Sequence, residues 1–117
     1  DLNTIATLTF HLNYYVKGVT KYLQQGGPLE TKDKYSFAHP PITSQKDWDG
    51  FLETVWTDAE IFAKLIEALP DSKLSEVFVE EKYETYYRNI QGIIEHIHYH
   101  LGQIVVIKKI LSQMQNT

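Results

Sequence analysis

No cysteine occurs among the 117 residues, and that absence removes several chemistries at once. Disulfides, thiolate ligands and a cysteine nucleophile are all excluded. The lack of cysteine is compatible with the cytoplasm, the compartment expected for this chain. Long apolar runs are also missing. None approaches the ~20 residues that span a bilayer, and no signal peptide is visible. Basic residues are scarce as well: Lys and Arg total 11 against 15 Asp and Glu, for a net charge of −4. A nucleic-acid partner would need clustered Lys and Arg on one face, so none is expected. Lys108-Lys109 is the only basic pair beside an apolar run, too little for a membrane surface. There is no GxGxxG, no P-loop lysine motif and no HExxH, and the serines lack a nucleophile context. What is present is an apolar content of 43%, enough for one globular domain spanning residues 1–117 with one core.

Apolar periodicity divides the chain into three long helices. The first is expected from Thr4 to Gln24, capped by Asn3 and stopped by Gly26-Gly27-Pro28. Gly18 inside it reads as a place where another helix packs closely. Residues 26–43 have no period, and Tyr35 and Phe37 are expected to anchor this long loop to the bundle. The second helix should run from Gln45 to Leu69, with Ser44 as N-cap and Asp47 as its capping-box partner. Leu74 to Val79 alternates like a strand but has no evident partner, so an extended connection is expected there. The last helix should run from Tyr83 to Gln113. The implied class is all-α, a helical bundle with long connections. Three helices leave one side open, so a fourth would complete it.

Chemistry concentrates in the segment HIHYHLGQI, where three of the five histidines fall within five residues. With His96 at zero and about 100° per residue, the apolar face centres near 100°, His100 lies near 40° and His98 near 200°. That geometry turns His100 inward and leaves His96 and His98 on opposite borders. Spacing separates them: only His96 and His100, four apart, can reach one metal ion from one helix face. His11, about 85 residues upstream, lies on another apolar helical stripe. A lone histidine there is more often a hydrogen-bonded core residue than a ligand. If the helices pack together, His11, His96 and His100 could converge as three neutral nitrogen ligands. Zinc, nickel or iron suit such a set, and copper accepts imidazole too. Gln103 and Glu95 are candidates to orient the rings, and Tyr14 is the tyrosine expected nearest the chemistry. His39 and His98 read as surface residues.

The pairing of TIATLTFHLNYY with the later IIEHIHYHLGQI resembles the DinB-like (DinB/YfiT-like) metalloenzyme superfamily. His11 matches that family's first histidine, His96 and His100 its H-x3-H pair, and Gly102, Gln103 and Ile104 the tail that follows. Lys34 to Phe37, Pro40-Pro41 and Asp47-Trp48 are similar to a subgroup's KYSF, PP and DW elements. The resemblance covers nearly the whole chain. It implies a four-helix bundle whose first helix is missing from this sequence or supplied by another subunit. It further implies a divalent metal on His11, His96 and His100, and metal-dependent transfer or isomerisation with a low-molecular-weight thiol; a transferase or hydrolase is the activity expected for this chain. The substrate would be a small molecule, with a low-molecular-weight thiol or water activated by the metal. A homodimer is expected, because exposed apolar helix faces often pair. The alternative is a non-catalytic binding module of the same bundle, its metal structural or absent.

Overall fold

The computed structural model describes residues 3–115, so the outermost two positions at each end of the expected domain lie outside the described residues. The chain is all-helical, with three long helices: α1, Ile5–Gln25; α2, Gln45–Glu67; and α3, Tyr86–Gln115. Short 3-10 turns lie at Asp33–Tyr35, Asp71–Ser75 and Glu81–Tyr83. Among the described residues there is no strand, only an isolated bridge between Val77 and Thr85.

Side chains at the helix ends explain where each begins and stops. Thr4, not Asn3, caps α1: its hydroxyl accepts from the Thr7 N–H at 3.0 Å. Gly26 ends α1 with φ of 70°, and its N–H donates to the Tyr22 carbonyl at 2.8 Å. Ser44 caps α2 as expected, accepting from the Asp47 N–H at 3.1 Å. The Asp47 carboxylate reaches one residue further back than a capping box requires, to the Thr43 N–H at 3.1 Å. That bond holds the Asp47 carboxyl below the usual carboxylate range. α2 stops two residues short of Leu69, ahead of Pro70.

The largest departure from expectation is in residues 74–85. Leu74 and Ser75 belong to a 3-10 turn, and the segment behind them doubles back on itself. Phe78 N–H donates to the Glu84 carbonyl at 2.8 Å, and Tyr86 N–H to the Glu76 carbonyl at 3.0 Å. The partner that the alternating residues lacked is therefore Thr85, a few residues on in the same turn. This turn, not a preceding helical run from Tyr83, sets the start of α3. Phe78 in its paired arm is 1% exposed and packs edge-on against Tyr22 and Tyr86.

α1 is the central element. α2 and α3 both pack on it and have little contact with each other. Phe10 meets Phe51 and Asn13 meets Asp58, so α2 runs parallel to α1. Tyr22 meets Tyr86 and His11 meets His96, so α3 runs antiparallel. The link between α1 and α2 must return along the length of α1, and it does so as a strap. Glu30 pairs with Lys21 at 2.8 Å, Lys32 N–H donates to the Tyr14 hydroxyl at 2.8 Å, and His39 contacts Thr7 at 3.1 Å. Gly18 accommodates this strap: a β-carbon there would collide with the Thr31 methyl group. The close approach expected at Gly18 is real, but it comes from the link and not from a helix. Tyr35 is exposed and is no anchor, whereas Ser36 beside it is fully buried.

The core gathers Val16, Val19, Phe62, Phe78 and Tyr86 where the three helices meet the turn. Beyond it the molecule is drawn out to 55 × 26 × 24 Å. Its radius of gyration of 16.2 Å exceeds the about 13 Å of a compact chain this long. Trp56 on α2 and Ile94, Leu101 and Val105 on α3 are exposed. No helix of the described residues is long and apolar enough to cross a membrane.

Candidate metal centre

The antiparallel packing of α1 and α3 brings His11 opposite His96 and His100. One ring nitrogen from each lies within 4.8 Å of the others, a group that could hold a metal ion. His11 is buried, and the other two are partly buried. His11 Nε2 lies 3.1 Å from His96 Nε2, which in turn lies 2.9 Å from His100 Nε2.

The outer nitrogens fix the tautomers. His11 Nδ1 is 3.1 Å from the Ser36 hydroxyl oxygen. That hydroxyl has one proton, and it donates it to the Asp33 carbonyl at 2.7 Å. Ser36 can therefore only accept from His11, so Nδ1 carries the hydrogen and Nε2 a lone pair. His100 Nδ1 is 2.6 Å from the Gln103 carbonyl oxygen, which also only accepts. His100 Nε2 is thus bare as well. Both bare nitrogens face His96 Nε2. One ring nitrogen offers either one hydrogen or one lone pair, so it cannot bond both neighbours. His11 and His100 thus each turn a lone pair toward His96 Nε2, which can satisfy at most one of them.

The three nitrogens form a group that could hold a metal ion. Zinc-to-nitrogen bonds of about 2.0–2.1 Å put adjacent ligand nitrogens roughly 2.9–3.4 Å apart at right or tetrahedral angles. The two short nitrogen separations fall in that range, while the group as a whole spans up to 4.8 Å, so the outer rings would have to draw in around an ion. Electrostatics favour the ligating form. Burial, then the neighbouring His96 and His100, push His11 down to about 4, against a smaller opposing pull from Ser36 and Asp33. Burial and then His100 lower His96 too. Three ligands would leave further positions open, as in catalytic zinc sites.

The surrounding residues hold the rings in place. Phe37 stacks flat on His11, with ring centres 4.2 Å apart and an interplanar angle of 6°. Tyr15 sets its edge against His11 at 5.2 Å and His96 at 5.6 Å, and its hydroxyl donates to the Asp33 carboxylate. Tyr15, not Tyr14, is thus the tyrosine beside the histidines; Tyr14 holds the strap through Lys32. Gln103 has the orienting position expected for it, while Glu95 is exposed and outside the group. His98 is exposed. His39 is not a plain surface residue: it is partly buried, bonded to Thr7 and set against Phe10. Phe37 anchors the link to α1 as expected, stacked on His11, while Ser36 and Tyr15 support the rings without having been expected to. The signal for Ser36 lay in KYSF, where one small hydroxyl residue stands between two aromatics in an otherwise unpatterned link; Tyr15 lies outside that segment, on α1 one turn after His11.

No family model, curated protein or solved structure matches this chain.

Proposed function

We propose that this chain is a divalent-metal-dependent enzyme of the DinB-like type, a transferase or hydrolase with its ion on His11, His96 and His100. The observation that carries the reading is the convergence of three imidazole nitrogens, at least two of them tautomerically bare. Bound there, zinc, nickel or iron would supply Lewis acidity, lowering the pKa of a coordinated thiol or water toward neutral. Ser36 and Gln103 keep the imidazole lone pairs turned toward the ion. Phe37 covers one face of His11 and keeps water from it. Asp33 accepts from the Tyr15 hydroxyl, which fixes Tyr15 beside the rings. The substrate in this reading is a small molecule met in the cytoplasm, with a low-molecular-weight thiol as co-substrate. The family's four-helix architecture belongs to the same proposal. Trp56, Ile94, Leu101 and Val105 are the surface that a fourth helix, or a second copy in a homodimer, would cover.

One observation favours a structural ion instead. The histidines bridge α1 to α3 at the edge of a small core. An ion there would fasten the two helices with no chemistry. A thiol-transfer assay separates the readings, run on zinc-, nickel- and iron-loaded protein alongside melting curves before and after chelation. Turnover that requires metal supports the enzyme. A large fall in melting temperature without turnover supports the structural role.

A further inference from the structure

Beside the histidines lies an open cleft of about 470 Å³. Tyr15, Val19, Leu29, Phe78 and Ile93 give it apolar walls, and His96 lines it from the metal side. Arg88, Gly92 and His96 follow one another at four-residue steps along one face of α3, and all three line the cleft. The middle residue has no side chain, so α3 itself places none between the arginine and the histidine on that face. Arg88 leans into that gap: its Nη1 lies 3.4 Å from where a β-carbon of Gly92 would be. The guanidinium has one ion pair among the described residues, an exposed contact from Nε to Glu84 at 3.7 Å. That contact leaves the Nη side of the fork free for a second carboxylate. Lys82 also lines the cleft, but Glu80 already holds its ammonium at 3.3 Å. Glu84, the partner of the Arg88 Nε, lines it too.

We infer that this cleft takes an amphipathic anion, with an apolar body between the aromatic and aliphatic walls and a carboxylate held by Arg88. Its other end faces the three histidines. That orientation rests on the metal reading above; the anion site itself does not. From the level of Gly92 to midway between His96 and His100 is roughly 9 Å along the helix axis, the length of a phenylbutanoate. A guanidinium at that distance would select substrates by charge and set which end reaches the histidines.

The test titrates the purified protein calorimetrically with 4-phenylbutanoate and with its neutral counterpart 4-phenylbutan-1-ol, with metal content measured on the same sample. The acid should bind at least about tenfold more tightly than the alcohol, as a charge-assisted pair requires. Arg88→Met should abolish that preference by weakening the acid, with metal content unchanged. Gly92→Leu puts a side chain across the cleft and should weaken both probes. Equal affinities in the wild type, no binding of either probe, or a preference that survives Arg88→Met overturns the assignment. An Arg88-dependent preference in protein that holds no metal supports the anion site and counts against the metal reading alone.

Discussion

Two regions built on the same pair of helices, α1 and α3, are opposites in their physics. Around Phe78, apolar and aromatic side chains close on one another, and burial pushes the Tyr86 hydroxyl up to about 12. Two turns along α3 from Ile90, the partners are three imidazoles whose nitrogens face each other. The first region gains free energy from burial with no ligand at all. The second leaves lone pairs opposed and desolvated until something cationic joins them. One end of the helix pair holds the fold, and the middle brings together three imidazoles that could hold a metal ion.

The comparison breaks first at the core. Phe78→Ala should cost about 3–5 kcal/mol in urea unfolding, the range for deleting a buried aromatic ring. Trp56→Ala, which removes a larger but 69% exposed side chain, should change stability by no more than about 0.5 kcal/mol. Comparable losses would mean that exposure does not separate core from surface here.

The site responds to ligand. A divalent ion at a hundredfold excess over its dissociation constant should add about 2.7 kcal/mol. Chelation should remove that increment in the wild type and leave His100→Ala unchanged.

Acid acts on the same residues. The folded-state pKa of His11, about 4, lies below its ordinary 6.5. The unfolded chain therefore binds the proton first as pH falls. The stability linked to His11 is complete above pH 6.5 and is lost progressively toward pH 4. Urea midpoints of metal-free protein across that window should fall more steeply for the wild type than for His11→Gln.

The smallest effect lies beside the core. Thr20 is 9% exposed, and its hydroxyl is a buried polar atom without a hydrogen-bond partner. Thr20→Val keeps the shape and removes the cost, and should raise stability by roughly 1 kcal/mol. A loss of stability would show that the hydroxyl is bonded.

Much of this was readable in the residue order, for physical reasons. Apolar residues at three- and four-residue steps located all three helices. Ser44 and Gly26 marked ends because capping and left-handed backbone are local matters. His96 and His100 were readable as a pair because four residues make one helical turn. That His11 faces them follows from packing, which no local pattern records. Ser36 was missed for the same reason: its part depends on the strap running back along α1 in register. Phe78 was read as part of a connection because its turn pairs with itself, leaving no separate strand to signal it.

The central claim, that the three histidines form one metal site, is tested most directly by counting metal. Freshly purified wild-type protein, supplied with zinc, nickel or iron and desalted, should hold about one equivalent per chain. His11→Ala, His96→Ala and His100→Ala should each hold far less while keeping wild-type helical content. Stoichiometric metal in those variants, or none in the wild type, would contradict the account.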